Sequence, residues 1–536
     1  MKYNKINNSN KINNFNKINK IEITEPILMK IGEIATDNNI EVYVVGGYVR
    51  DALLGKPRTD IDCTVVGDAI QFAQIIAKYF NTKAVIYERF RTALVPINKL
   101  HIEFVGTRKE EYLPNSRKPV TSEGTLEDDL KRRDFTVNAM AASINSKPIN
   151  NSTSNKIKNI NNDKINNNKI NSGKTNNDKN PDKNSILEFK QFEFGQIIDL
   201  FDGQKHLEEK ILITPLDPVI TYSDDPLRMM RAARFAAQLQ FEIAENSLEA
   251  IKQMADRIKI ISQERISDEF MKIISSPKPS IGLNILYETG LLKHIFPELE
   301  ATAGVEQASD KDGQTYHHKD VFNHTLQVLD NAANISDNIW FRFAALFHDI
   351  AKPRTKKYIE GSGWHFFGHE ERGAKMLEPI FRKMKLPLDN IEYIKKLIRL
   401  HLRPMQLVDG EVTDSAIRRL AVNAGDTLED LFLLCKCDIT SKNPNLTQKY
   451  LNNYSLVAQK VIDVQEKDKL REFQSPVRGE EIMEICDIPP CKLVGIIKTN
   501  IENAILDGII PNEYNAAKYY FLEHKDNWLK TAISNG

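Results

Sequence analysis

One stretch constrains the fold of this chain more than any other: Glu41 to Val66, E-V-Y-V-V-G-G-Y-V-R-D-A-L-L-G-K-P-R-T-D-I-D-C-T-V-V. Its β-branched opening, Glu41 to Val45, reads as a buried strand. The strand breaks at Gly46-Gly47, and Val49, Ala52 and Leu53 follow at helical spacing. Paired glycines at a helix start leave backbone N–H groups facing whatever docks there, and the helix dipole favours an anion. The pattern therefore predicts a phosphate cradle at Gly46 and Gly47, with the Arg50 guanidinium in the first turn to fork onto phosphate oxygens. A second strand carries Asp60 and Asp62, and residues two apart on a strand share a face. Two carboxylates beside a phosphate cradle suit Mg²⁺, a hard cation that takes carboxylates together with substrate phosphate oxygens. Alone, a Gly-Gly is usually a tight turn and a D-x-D a solvated strand face. Their order and proximity carry the functional reading.

These residues match G-G-x-V-R-D-x-L-L-G-x-x-x-x-D-x-D, and the stretch resembles the signature of the class II tRNA nucleotidyltransferase and bacterial poly(A) polymerase family, among the polymerase-β-like nucleotidyltransferases. The resemblance implies an α+β chain. A head built on a small mixed or antiparallel sheet with helices (residues 21–215) is followed by an all-α neck that selects nucleotides (216–300), an HD domain (301–450) and a helical tRNA-binding tail (451–536).

Length and composition fit such a string of modules. A chain of 536 residues exceeds one core, and about three or four domains are expected. Its 73 basic and 73 acidic residues cancel, so a nucleic-acid surface has to be local. Five cysteines make no disulfide framework, and there is no apolar run long enough for a membrane span; both fit a cytoplasmic protein. Residues 1–20 are Asn/Lys/Ile-rich without a signal-peptide core, and the same composition returns at about 147–185. Such segments bury too little apolar surface to offset ordering entropy, so both are expected to be disordered. The second is read as an insertion at the turn between two short strands, Met140 to Ile144 and Gly195 to Leu200, and the fold is expected to tolerate its deletion.

In the rest of the head, a helix is expected over Ala69 to Phe80 and strands at Lys83 to Tyr87, Thr92 to Pro96 and His101 to Val105. In the resembling family the last of these lies beside the D-x-D strand, which makes Glu103 a candidate third metal ligand, although an exposed strand carboxylate is an equal reading. Arg108 follows at the strand end, positioned to face the triphosphate. Arg132-Arg133-Asp134-Phe135-Thr136-Val137-Asn138-Ala139-Met140 matches the family's R-R-D-F-T-x-N-A-M element. The resemblance gives Arg133 and Asp134 contacts to ribose and phosphates, and a carboxylate accepting from the 2′-OH would select ribonucleotides. Asp199 to Gln204 argues for a turn, and the resemblance adds a hinge role.

The neck carries Ser223-Asp224-Asp225-Pro226-Leu227-Arg228-Met229-Met230-Arg231. Ser223 as N-cap and Pro226 in the first turn predict a helix start here. Asp224 and Asp225 then share a face with Arg228, where an ordinary ion pair is the plain reading. The sharper reading is base selection. Cytosine and adenine offer an amino donor beside a ring acceptor, which a carboxylate and a guanidinium complement; uracil and guanine reverse the order and leave groups unpaired, at about 1 to 3 kcal/mol each. The segment resembles the E-D-x-x-R motif that selects CTP and ATP without a template, with Asp224 where the motif has Glu. Arg231 is a further nucleotide-binding candidate. Glu264-Arg265-Ile266 through Glu269 resembles the E-R-I-x-x-E element, read as a buttress for the base-reading helix.

A second metal signature lies further on. His324, His348-Asp349 and Asp438 occur in the order H…HD…D of an HD domain, whose imidazoles and carboxylates hold a divalent transition metal. His369 and His401 resemble the additional histidines of HD phosphohydrolases. The reading is thus an enzyme that adds CCA to the tRNA 3′ end from CTP and ATP, with Asp60, Asp62 and Glu103 at a Mg²⁺ site and a separate phosphohydrolase at the HD site. Rivals are a poly(A) polymerase, an enzyme adding only CC or only A, and an HD hydrolase with a non-catalytic RNA-binding head. The sequence does not specify the oligomeric state.

Overall fold

The computed structural model describes residues 17–58, 60–98, 100–111, 120–146, 192–306, 310–311, 314–315, 320–360, 362–407, 413–441, 443–468 and 475–534. Both expected disordered segments fall mostly outside these residues. The chain divides into two compact units, one made of the described residues up to Ala232 with Phe241–Arg257, the other of Ala233–Gln240 with the described residues from Ile258 onward.

The first unit is built on β1 (Glu41–Val45), β2 (Ile61–Val66), β3 (Val85–Tyr87), β4 (Thr92–Ile97), β5 (Leu100–Gly106), β6 (Arg108–Glu111), β7 (Val120–Glu123), β8 (Met140–Ser143) and β9 (Ile197–Asp199). Seven of them form one mixed sheet in the order β3-β4-β5-β2-β1-β8-β9, while β6 and β7 pair as a separate hairpin. The β2–β5 pair is parallel and the other neighbours are antiparallel. β8 pairs directly with β9, so the Asn-rich segment connects two adjacent strands, as expected for an insertion at a hairpin turn.

Local chemistry sets these elements. Asp68 caps the helix Ala69–Tyr79 by accepting from the Ile70 and Gln71 amides, and Phe72, Ala73, Ile76 and Ala77 recur on its buried face. Thr125 and Asp128 form a reciprocal capping box at Leu126–Lys131, just ahead of the Arg132-Arg133 pair.

The neck helix does not start as the sequence predicted. Ser223 lies inside a preceding helix, Pro218–Asp224, which Asp217 caps at its other end. The next helix, Leu227–Leu239, is instead started by Asp225, whose Oδ1 accepts from the Leu227 amide at 3.1 Å. Asp224 and Arg228 therefore belong to different helices.

The second unit is helical. Phe270, Phe296, Phe343, Phe347 and Phe381 stack into its core with centroids 5.4 to 6.4 Å apart. Buried Arg342 satisfies the carbonyls of Ile274 and Ser276. Glu269, buried, accepts from Arg234 Nε at 2.6 Å, the buttress expected for the helix Leu227–Leu239. The helices Gly479–Cys486, Lys492–Leu506 and Tyr514–Ser534 close on a separate cluster around Ile482, Ile497, Ile501 and Phe521. No helix among the described residues is long and apolar enough to cross a membrane.

Candidate functional sites

In β2 the buried side chains of Ile61 and Cys63 alternate with Asp62, which faces solvent, as does Asp60 one residue before the strand. Parallel pairing sets Asp62 directly beside Glu103 of β5. A parallel register puts paired side chains on the same face, so the third carboxylate joins the first two by strand geometry. Surrounding protein crowds Asp62 despite its open rim. This desolvation, opposed by Arg133 and reinforced by Asp60, raises its pKa; desolvation and Asp62 do the same to Glu103, against the pull of Arg108. Carboxylates whose pKa values burial and a neighbouring negative charge push up make a site that gains from a cation. The three are nonetheless not drawn tight: both groups of ligand atoms that converge within 4.8 Å among the described residues lie elsewhere.

Gly46 follows β1 at φ +66°, a backbone that favours glycine, and a Cβ there would come within 2.7 Å of Arg133 Nη1, displacing that guanidinium. The Gly46 N–H is already given to the Met140 carbonyl at 3.0 Å, which leaves the expected cradle to Gly47 and the turn after it. Arg50 does not stand free for phosphate. It forks onto Asp51 at 2.8 and 2.9 Å and donates to Asn138 Oδ1 at 2.7 Å. Arg133 is the better-placed cation, lying over Gly46 and acting on Asp62, with a buried Nε that has no hydrogen-bond partner. It is braced by Asp129, a fully buried carboxylate that also holds Arg132 and accepts from Thr64. Arg108 donates to Glu110 and to the Phe90 carbonyl.

Asp134 is buried and occupied. One oxygen accepts from the Phe135 amide and Asn138, and the other is held by Arg231 at 2.6 and 2.8 Å. Burial would raise its pKa, but Arg231 overcomes that and brings it down to about 2. The expected ribose contact is thus not offered by a free carboxylate; Asp134 and Arg231 form one ion pair. Arg228 donates to the Arg132 carbonyl at 2.6 Å and the Thr221 carbonyl at 3.3 Å, which ties the base-reading candidate to the backbone beside Arg133. Burial raises the pKa of Asp224 against the opposing charge of Arg228.

The second site is closed. His324 comes from the helix Val321–Ile335, His348 and Asp349 follow Ile339–Phe347, and Asp438 ends Leu428–Asp438. His369 opens the helix His369–Lys383 and His401 ends Ile391–Leu400. The ligand atoms fall into two groups, His324, His348 and Asp438, and Asp349, His369 and His401. Each ring spends its Nδ1 outward. His348 uses the Ala345 carbonyl at 2.8 Å, His369 that of Phe366 at 2.7 Å, His401 that of Ile398 at 2.6 Å, and His324 the Thr440 hydroxyl at 3.0 Å. A carbonyl accepts, so Nδ1 carries the proton in His348, His369 and His401, and the Nε2 lone pairs turn inward. The inward atoms approach within 3.3 Å for His324 and His348 and 3.4 Å for His369 and His401, spacings suited to atoms sharing a metal. Asp349 stands between the groups, 3.2 Å from His348 Nε2 and 3.3 Å from His369 Nε2. Its oxygens are buried and accept no well-directed hydrogen bond, although the Lys352 ammonium lies 2.7 Å away. Unsatisfied buried carboxylate oxygens among inward imidazoles fit a divalent cation. Burial disfavours a charged His348, yet Asp349 and Asp438 raise its pKa; burial and neighbouring His348 lower that of His401 to about 4.

Three family descriptions match the chain: "Poly A polymerase head domain" over residues 42–166, "Probable RNA and SrmB- binding site of polymerase A" over 240–302, and "HD domain" over 321–436. A multifunctional CCA protein of Methylococcus capsulatus is 30% identical over 418 residues, covering 74% of this chain and 81% of its own. The fold is similar to that of the Thermotoga maritima CCA-adding enzyme complexed with tRNA (TM-score 0.53, 18% identity, 94% of this chain and 96% of that one). It is also similar to the Bacillus stearothermophilus CCA-adding enzyme in complex with CTP (TM-score 0.53, 20% identity, 95% and 100%). With a nucleotidyltransferase head, an RNA-binding segment and an HD module in one chain, this protein belongs to the tRNA nucleotidyltransferase and poly(A) polymerase family, alongside the multifunctional CCA proteins.

Proposed function

We propose that this protein adds CCA to tRNA 3′ ends from CTP and ATP, releasing pyrophosphate, and that its HD site hydrolyses phosphate esters. The observation that carries the first reading is the Asp62–Glu103 strand pairing beside Asp60, with Arg133 lying over Gly46. The curated relatives' names favour CCA addition over poly(A) synthesis.

In the head, Asp60, Asp62 and Glu103 would hold Mg²⁺, which would supply the positive charge needed to acidify the RNA 3′-hydroxyl and offset the negative charge of the triphosphate. Arg133 and the Gly46-Gly47 turn hold the phosphates. The 3′-oxygen attacks the α-phosphorus, its proton passes to solvent, and the bond to the β-phosphate's bridging oxygen breaks. Two of the five N–H groups of Arg228 are spent on the Arg132 and Thr221 carbonyls, leaving three to present to a base from a fixed position. Together with Asp225 it would pair with cytosine or adenine. The Asp134–Arg231 ion pair braces this helix against the arginine motif.

At the HD site, His324, His348, Asp349 and Asp438, with His369 and His401, would hold a divalent transition metal, which would supply Lewis acidity to activate water near neutral pH. The Nδ1 contacts fix the rings, and Lys352 balances the charge of Asp349. The water oxygen bonds to phosphorus, the ester P–O bond to the RNA oxygen breaks, and a proton of the water passes to that oxygen, which leaves as a hydroxyl.

The test of the addition reading is 3′-end sequencing of a tRNA lacking CCA after incubation with the protein and CTP, ATP or both. CCA ends that require both triphosphates are expected; adenosine-only tails or unextended ends would overturn it.

A further inference from the structure

The segment that delivers His369 to the HD site also builds a surface unexplained by metal binding. Strands Lys357–Ile359 and Gly363–His365 form a small antiparallel hairpin. A hairpin this short ordinarily buries its aromatics against a neighbour, but here Tyr358 is 54% exposed and Phe367 72% exposed. The rings are ordered against one another: His365 stacks on Phe367 at 4.9 Å and 14°, and Tyr358 meets Trp364 edge-on at 5.1 Å. Lys356 lies over the Trp364 ring at 4.2 Å.

Charge singles out the same segment. The whole chain is neutral, with 73 basic and 73 acidic residues. Between Lys352 and Phe367, however, four basic residues (Lys352, Arg354, Lys356 and Lys357) accompany a single acidic one, Glu360; with Lys352 paired to Asp349, the surface keeps a net charge of +2 before any histidine is counted. The surface is also continuous with the catalytic groups. Phe367 is two residues from His369, the Phe366 carbonyl holds His369 Nδ1, and Lys352 spans from Asp349 to within 5.4 Å of the Phe366 ring centroid.

Exposed aromatic faces among lysines bind single-stranded nucleic acid, because every base has a face to stack and every linkage a charge to neutralise. We propose that the Tyr358–Phe367 hairpin is the substrate platform of the HD site: it stacks the terminal bases of a single-stranded RNA 3′ end, while Lys356 and the exposed Lys357 receive its phosphates. This rests on the reading of the HD site as a phosphohydrolase and adds what that reading lacks, the feature that selects RNA over small phosphate esters.

The test compares phosphate release by the metal-loaded full chain and its Phe367→Ala and Tyr358→Ala variants on two substrates. One is a short oligoribonucleotide ending in a phosphate monoester, the other glycerol 2-phosphate, which has no base to stack. Loss of one stacked base raises KM for the RNA roughly 5- to 100-fold. Because both side chains are exposed, kcat for the RNA and all constants for glycerol 2-phosphate stay at the parental values, which also reports that the variants fold. An unchanged RNA KM, or equal losses on both substrates, overturns the platform. A parental protein that cleaves glycerol 2-phosphate and leaves the RNA intact overturns the platform and leaves the hydrolase standing; one that cleaves neither overturns the hydrolase reading and the platform with it.

Discussion

The two candidate metal sites solve one problem in opposite ways. In the head, Asp60 and Asp62 face solvent, the third carboxylate comes from a neighbouring strand, and the atoms are not drawn within a common coordination distance. In the HD module, six candidate side chains from several helices gather in two groups of three; His348, Asp349, His369 and His401 are buried, and the three imidazoles among them each have Nδ1 anchored on a carbonyl. On the proposed reading the head would be a site that its substrate finishes: Mg²⁺ keeps water and phosphate oxygens in its shell, so an open carboxylate set would be complete only with a triphosphate. The HD site carries a complete ligand set of its own and suits a metal that stays bound between turnovers.

That contrast can be broken at several points. The largest effect is expected from Asp62→Ala, which should lower nucleotide addition by roughly a thousandfold or more while leaving phosphate release untouched. Radiolabelled CTP incorporation and phosphate assays on one preparation measure both, and parallel losses would mean that the sites are not independent. His348→Ala should do the reverse, eliminating phosphate release and sparing addition. Gly46→Ala should reduce addition by roughly ten- to a hundredfold through KM for the triphosphate, since the new methyl meets Arg133 and the +66° backbone is strained. A triphosphate KM equal to the parent's would remove Arg133 from the phosphate site.

A smaller effect is expected from pH. Metal needs ionised carboxylates, and the raised pKa values of Asp62 and Glu103 mean that protons compete at higher pH than at an ordinary carboxylate. Mg²⁺ affinity at the head, followed by calorimetry with a non-hydrolysable triphosphate present, should weaken as pH falls toward those values, and a flat profile would contradict the raised carboxylates. The smallest effect, none on addition, is expected from excising residues 150–188, because β8 and β9 pair without them.

Much of this was legible in the chain. Alternation set Asp60 and Asp62 on one face, and the motif order led to Glu103, whose strand pairs with theirs. The HD-site candidates were readable because their types are chemically restrictive, and the fold gathers their side chains in two groups. What failed was local. Ser223 has a good capping side chain, but the chain was already helical from Pro218, and Asp225 took the capping position. Asp129 was missed because L-E-D-D-L-K reads as a solvated helix, and nothing nearby in sequence says that one of its acids is buried against Thr64, Arg132 and Arg133. Arg50 and Asp134 were identified as chemistry from sequence, and the structure adds what sequence does not show, their partners Asp51, Asn138 and Arg231. Sequence named the charged residues; three-dimensional pairing decided which of them remain available.

Metal retention tests the contrast most directly. After exhaustive dialysis against metal-free buffer, elemental analysis of the parental protein, Asp62→Ala and His348→Ala should find a transition metal in the first two and none in the third, with Mg²⁺ absent throughout. A parental protein that retains no transition metal, or one whose retained metal is lost with Asp62 and kept without His348, would contradict the account.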